Sequence, residues 1–414
     1  MSTKIFSPDI NGNTIEKEYS KVQKRSSTDE NFKNRCDSDF QIRSSYLSDV
    51  LKSNKTKVVF YDAFNLICVA ATVSQLFDYW IDTNRFHVFW TAVFSTFSGF
   101  WPYFLTAYLF FNSWSLLQWK LVKSTRNPLI FTIIQIPMIL FLFAVPSYIV
   151  TFNPVGVTLR IIVGCETVRF GLKLWALVGE TFGKDEDQQA TLREFFYFLY
   201  APTLIFRKSY PKKARSWSRL FLYIFLVYIQ IGLVAELFAG WTIRMGTIAG
   251  LSKYSSHLNS SALPIPILGP ALIFMFWLFH FHTWLNMCSE ILCFGDQRFY
   301  GPWWEPMLLV KMIKEWNPII HNFIKKYAYD SISKKTSNSI YRFLAVGFIS
   351  GPLHDFIFSL VIKRVCYICS ITYISALICM APFIKSSLWP LGPIMQLVFP
   401  TGYLIYLSYC CANQ

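Results

Sequence analysis

Phe348-Ile349-Ser350-Gly351-Pro352-Leu353-His354-Asp355-Phe356 lies inside the apolar run 341–362, which is long enough to cross a bilayer as one helix and carries a histidine deep within it. A stretch of that length and hydropathy assigns this part of the chain to a membrane. The histidine then asks for an explanation, because an imidazole inside the hydrocarbon has no free hydration. It is either a core ring hydrogen-bonded to a neighbouring helix or a working group that faces a cavity.

The rest of the chain has the same character. Of its 414 residues, 53% are hydrophobic and 18% aromatic, while only 15% are charged. Runs of about 20 apolar residues fall at 58–80, 87–113, 128–152, 157–180, 217–240, 265–290, 341–362, 366–384 and 388–411, which predicts an all-α polytopic membrane protein of nine spans. Residues 1–57 are polar and rich in Ser, Asn and Lys, with no apolar core of a cleavable signal peptide. They are expected to form a disordered cytosolic tail ahead of a membrane-embedded domain over 58–414.

Lysines and arginines crowd the tail, the turn Lys120 to Arg126, the loop with Arg207, Lys208, Lys212, Lys213 and Arg215, and the segment Arg298 to Arg342. These are alternate loops, so the positive-inside rule places them and the N-terminus in the cytosol and the C-terminus opposite. The sequon Asn259-Ser260-Ser261 then falls on the lumenal side, where glycosylation occurs, and Asn54-Lys55-Thr56 on the cytosolic side. The net charge of +15 is mostly juxtamembrane, which suits an anionic leaflet or a soluble anionic ligand and gives little support to nucleic-acid binding.

Most of the ten cysteines fall inside expected spans, which argues against a disulfide framework. Cys366-x-x-Cys369 has the spacing of a metal or redox pair but lacks a second pair, so small apolar side chains are expected there and no metal. GxGxxG, Walker and HExxH motifs are absent, as is any internal repeat, which removes the grounds for nucleotide-driven transport and zinc hydrolysis.

Two cytosolic segments are too apolar for ordinary loops. Glu194 to Arg207, continuing to Tyr210-Pro211, sets aromatics before basic residues, as membrane interfaces favour. Phe294 to Tyr329 begins with Phe299-Tyr300-Gly301-Pro302-Trp303-Trp304-Glu305-Pro306, read as a turn and a helix start, followed by Met307 to Trp316 with apolar residues on more than one face. Asn317 stands before Pro318, the arrangement of a helix N-cap with proline at the first helical position. His321 lies one turn further on and is open to a packing, hydrogen-bonding or chemical role.

The series Phe294-Gly295-Asp296-Gln297-Arg298-Phe299-Tyr300-Gly301-Pro302-Trp303-Trp304-Glu305, then Trp316-Asn317 with His321, then His354-Asp355, resembles the sterol and diacylglycerol O-acyltransferase branch of the membrane-bound O-acyltransferase superfamily. Ala201-Pro202-Thr203-Leu204-Ile205-Phe206-Arg207 with Tyr210-Pro211, Trp284-Leu285-Asn286 with Glu290, and Tyr327-Ala328-Tyr329 are similar to further signatures of the sterol side. The similarity covers residues 160–365 in the expected order. Two departures stand out. The family's FYxDWWN becomes Phe299-Tyr300-Gly301-Pro302-Trp303-Trp304-Glu305, with proline for aspartate and glutamate for asparagine, and the glutamate that usually follows the family's histidine is Asp355.

The resemblance implies a helical bundle around an intramembrane reaction chamber, in which His354 is the catalytic base and Asn317 lies near it. From Tyr341 to His354 a helix climbs about 20 Å at its 1.5 Å rise per residue, and Pro352 removes an amide hydrogen beside the histidine, which predicts a kink. The implied reaction is acyl transfer from acyl-CoA, a co-substrate with no further cofactor, to the hydroxyl of a sterol, giving a steryl ester. Diacylglycerol is the alternative acceptor, and a non-catalytic lipid-binding or channel protein is the alternative class. His321, Trp316 and Asp355 are supporting candidates. Arg207, Lys208 and Arg298, with Tyr300, Trp303 and Trp304, are candidates for holding acyl-CoA. The resemblance also implies a homo-oligomer in the endoplasmic reticulum membrane.

Overall fold

In the computed structural model the described residues are 40–52, 100–248, 272–303, 309–330 and 339–380. They are helical, with isolated bridges and no strand among them. Helix α1 is Tyr46–Lys52, α2 Phe100–Ser124, α3 Pro128–Phe152, α4 Val157–Thr181, α5 Leu192–Tyr200 and α6 Trp217–Ile248. A π-helical segment Leu278–Trp284 runs into α7, Leu285–Leu292. Helix α8, Leu309–Trp316, is followed by α9, Pro318–Ile324, and a second π-helical segment, Lys325–Tyr329. Helices α10, Ser339–Ile362, and α11, Ile368–Met380, complete the described part.

Helix α4 is the hub, packed against α2, α3 and α10. Its buried Leu159, Val163, Thr167, Phe170, Leu174, Leu177 and Thr181 recur every three or four residues, the spacing of one helical face. Gly164 gives α10 its close approach: a Cβ there would touch Ile357 and Leu360 at 3.4 Å. Helix α3 is of another kind. Its N-cap Asn127 accepts hydrogen bonds from the amides of Leu129 and Ile130, and Ile133, Ile136, Ile139, Leu140 and Phe141 are exposed, as a lipid-facing helix requires.

Nine spans were expected. Among the described residues, two stretches are long and apolar enough to cross a membrane, Pro128–Phe152 and Trp217–Val234, and Gly347–Ile362 is a shorter apolar helix. The expected spans 58–80 and 388–411, the first half of 87–113, the start of 265–290 and the end of 366–384 lie outside the described residues. Helix α4 matches the expected span 157–180 in length but carries Arg160, Glu166, Arg169 and Lys173. These charges are accommodated by protein: Arg169 pairs with Glu166 at 2.6 Å and donates to the Leu199 carbonyl, while buried Lys173 donates to the carbonyls of Phe198 at 2.5 Å and Ala201 at 2.7 Å. An interior helix can hold ions in this way because each has a partner, whereas a lipid-facing helix offers none.

The tail also differs from expectation. Residues 40–52, placed in the disordered segment 1–57, are folded and include α1, whereas 1–39 and 53–57 lie outside the described residues. Arg43 supplies the reason. Its backbone amide donates to Gly295 and its carbonyl accepts from Gln297, and its guanidinium binds the Asp296 carboxylate through Nε at 2.9 Å and Nη2 at 2.6 Å. A polar composition read locally gives no hint of this docking, because every partner lies some 250 residues away, as the sequence separation of 253 for the Arg43–Asp296 pair records.

Candidate active site

His354 projects from the second half of α10, which continues through Pro352. Its Nδ1 lies 2.7 Å from the carbonyl of Ser350. A carbonyl only accepts, so Nδ1 carries the hydrogen, and in the neutral ring Nε2 is left as the lone-pair nitrogen. The Tyr373 ring of α11 stands edge-on to the imidazole at 5.3 Å. The side chain is exposed and lies outside the packed core.

Asp355 faces elsewhere. Its carboxylate is buried and accepts from the backbone amides of Cys369 at 2.7 Å and Ser370 at 2.9 Å, in the first turn of α11. Asp355, a supporting candidate from the sequence, thus forms a helix cap and makes no hydrogen bond to the imidazole, because successive side chains on a helix diverge by about 100°. Cys366 and Cys369 are both buried free thiols, and no cluster able to hold a metal occurs among the described residues.

Asn317 is the N-cap of α9. Its Oδ1 accepts from the amide of Ile320 at 3.1 Å and Pro318 takes the first helical position, the geometry anticipated from Asn-Pro. Capping uses the oxygen alone and leaves the amide hydrogens available to another acceptor. His321 sits half-buried on the same helix, and burial, reinforced by the positive charges of Lys314 and Lys325, lowers its pKa below the ordinary imidazole value. Among the described residues no hydrogen bond or ring contact joins Asn317 or His321 to His354. The link is indirect: α9 leads into Lys325–Tyr329, and that segment packs on α10.

The aromatic candidates do meet. Trp277 lies 4.7 Å from Tyr300, 5.4 Å from Trp303 and 5.8 Å from Trp316, and Trp303 and Trp316 are 4.7 Å apart. Tyr300 also reaches His282 Nδ1 at 2.9 Å. Trp304 lies outside the described residues. Trp277 and His282 were not among the expected site residues. The signal in the sequence was Trp277 to His282 itself, a dense aromatic and histidine stretch inside an expected span. What could not be read is the π-helical turn at Leu278–Trp284, which displaces these side chains from α-helical spacing.

The three basic candidates for acyl-CoA already have protein partners. Arg207 is 3.7 Å from Glu180, which also takes Lys326 at 2.6 Å and the Tyr327 hydroxyl at 3.0 Å. Arg298 pairs with Asp49 at 2.7 Å and stacks over Tyr46, and Lys208 donates to the carbonyl of Asp187. Phe294-Gly295-Asp296 is gripped on two sides, by Arg43 and by the 211–213 loop, where Gly295 donates to Pro211 at 2.8 Å. A Cβ on Gly295 would lie 2.8 Å from that carbonyl oxygen, so only glycine fits. The Asp296 carboxylate holds the Arg43 guanidinium pKa above its usual value, mainly through the side-chain hydrogen bond. Buried Glu290 binds Lys213 at 2.5 Å and the amide of Ser216 at 3.2 Å, which fixes the start of α6 against α7.

Comparison with known proteins bears on this arrangement. The model of MBOAT, the membrane-bound O-acyltransferase family, matches residues 193–412, more than half of the chain. Sterol O-acyltransferase 1 of Chlorocebus aethiops is 26% identical over 354 residues, covering 77% of this chain and 62% of that protein. The Mus musculus sterol O-acyltransferase 1 is 26% identical, covering 77% and 63%. Diacylglycerol O-acyltransferase 1 of Bos taurus is 28% identical over 185 residues, covering 42% of this chain and 36% of that protein. The chain therefore spans less than two thirds of the length of these relatives.

Proposed function

The chain belongs to the membrane-bound O-acyltransferase family, and on that premise we propose that it transfers a fatty acyl group from acyl-CoA to the hydroxyl of a sterol. The observation that carries the reading is the tautomer of His354. With Nδ1 donating to Ser350, Nε2 is the lone-pair nitrogen of an exposed ring and can serve as a proton acceptor. A sterol hydroxyl is a weak nucleophile at neutral pH and needs a base as it attacks.

In this mechanism the hydroxyl gives its proton to Nε2 while its oxygen bonds to the thioester carbonyl carbon. The carbonyl oxygen takes up negative charge, and an Asn317 Nδ2 hydrogen is the donor assigned to it, since capping engages only Oδ1. Collapse re-forms the carbonyl and breaks the carbon–sulfur bond. The departing CoA sulfur takes the proton back from Nε2, and steryl ester and CoA leave. No covalent acyl-enzyme is invoked, so each cycle begins and ends with neutral His354.

The proposal extends to topology and setting: nine spans, a cytosolic N-terminus, the endoplasmic reticulum membrane and a homo-oligomeric assembly. His321, Trp316, Tyr300 and Trp303 are assigned to the walls near the acyl-CoA entrance. Diacylglycerol is the second acceptor reading, favoured by the 28% identity to diacylglycerol O-acyltransferase 1. The test is purified protein with labelled oleoyl-CoA and, in turn, cholesterol, ergosterol and diacylglycerol. Steryl ester formed by the wild type and lost in His354→Ala supports the proposal. Triacylglycerol alone selects the second reading, and no ester from any acceptor returns the chain to a non-catalytic lipid-binding role.

A further inference from the structure

We propose that Asp355 is a positioning residue for His354, acting across the interface between α10 and α11; the inference rests on the reading of His354 as the base. The two residues are adjacent in sequence, yet the Asp355 carboxylate is turned away, onto the backbone amides of Cys369 and Ser370. Those amides belong to the first turn of α11, where the helix has no internal acceptors for them. A carboxylate there satisfies two donors and sits at the positive end of the helix dipole. Asp355 is thus an N-cap delivered from another helix.

The cap sets the spacing of the two helices. A Cβ on Gly351 would lie 2.7 Å from the Cα of Ser370, so α10 and α11 touch backbone to backbone one turn before Asp355. Ser359 closes the other end: its hydroxyl donates to the Asp355 carbonyl at 2.6 Å and accepts from the Cys366 amide at 2.9 Å. On the far side of α10, Arg160 donates to Val361. With α11 fixed at Ser370, Tyr373 comes one turn later on the same face, and its ring meets the imidazole edge-on. Tyr373 and the Ser350 carbonyl together hold the plane of the ring and leave Nε2 as its lone-pair nitrogen. The aspartate in place of the usual glutamate belongs to this packing, because one more methylene would press the cap outward against helices already in backbone contact.

The experiment uses the full chain in detergent and follows two quantities: carbethoxylation of His354 by diethyl pyrocarbonate, read by peptide mass spectrometry, and steady-state turnover of oleoyl-CoA with cholesterol. Asp355→Asn removes one acceptor and sets an amide group against a backbone N–H; Tyr373→Leu leaves the cap intact and removes only the ring. Each is expected to raise the labelling rate of His354 about threefold or more and lower kcat about tenfold or more, with KM for oleoyl-CoA within about twofold. The double variant is expected to be no worse than the more impaired single one, because both changes release the same ring. Asp355→Glu, which keeps the charge, is expected to recover part of kcat. Wild-type labelling and kcat in Tyr373→Leu, or additive losses in the double variant, overturn the proposal, and the tyrosine arm remains decisive if Asp355→Asn does not fold. Labelling reads the imidazole whether or not product forms, so a wild type without product defeats the assigned reaction separately.

Discussion

The guanidinium of Arg160 donates to the carbonyl of Val361 at 2.8 Å and to that of Val155 at 3.0 Å, which ties the first turn of α4 to the last turn of α10. The helix bearing His354 is therefore anchored at its C-terminal end by a charge from the central helix. Arg160→Met should leave both carbonyls without this donor, a loss of about 1–3 kcal/mol for each group left buried and unsatisfied. Thermal unfolding in detergent checks it: the melting temperature should fall clearly in Arg160→Met and by less in Arg160→Lys, which keeps the charge but reaches fewer carbonyls.

Asn317 combines a structural hydrogen bond with a proposed chemical one, and the two can be separated. Asn317→Ala should destabilise α9 by about 0.5–2 kcal/mol through loss of the cap, whereas Asn317→Ser should restore most of that stability. Serine has no amide hydrogens placed like those of asparagine, so kcat should remain depressed by about 100-fold or more in both. Wild-type turnover in Asn317→Ser would reduce the residue to its capping role.

His321 makes stability depend on pH. Its pKa is lowered in the folded chain by burial and by Lys314 and Lys325, so the unfolded chain binds its proton more readily. Its contribution to stability is therefore fully present above the ordinary value of 6.5 and is lost as pH falls from there through the lowered folded value. Melting temperatures measured between pH 7.5 and 5 should fall less steeply for His321→Gln than for the wild type. Parallel curves would remove His321 from the acid limb.

The docked segment 40–52 offers a test of a different sort. Arg43→Ala removes both hydrogen bonds to the mostly buried Asp296 carboxylate, whereas Arg298→Ala breaks a more exposed pair worth about 0.2–1 kcal/mol or less. Limited proteolysis should therefore cut within 40–52 faster in Arg43→Ala than in Arg298→Ala, and faster in both than in the wild type. Equal cutting in all three would mean that Phe40 and Tyr46, packed on Tyr210 and Tyr300, hold the segment unaided.

Much of this was legible in the chain itself. The run 341–362 differs by two residues at its start from α10, and Asn317-Pro318 marks the start of α9, because apolar length and cap chemistry are local signals. The burden of charge on α4 was readable, but its resolution was not: Lys173 and Arg169 find carbonyls at Phe198, Ala201 and Leu199, which only the folded chain brings near. The direction of Asp355 was hidden for the same reason, since its partners belong to α11 and adjacency in sequence suggested His354. Composition misjudged 40–52, whose order comes from two long-range ion pairs, the backbone hydrogen bonds of Arg43 and a few edge-on aromatic contacts.

The π-helical turn at Leu278–Trp284 closes with the amide of Leu285 reaching back five residues to the carbonyl of His280. Such a turn holds one residue more than an α-turn over the same path, so it behaves as a built-in insertion. Removing a single residue there would let the helix tighten to 3.6 residues per turn and swing everything upstream by about 100° relative to Asn286 and Glu290. Trp277 would leave Tyr300, Trp303 and Trp316 while the helix itself survived. The spacing of this stretch is thus set by length as much as by residue type, and a homologue one residue shorter here would keep the same helix with a different aromatic wall.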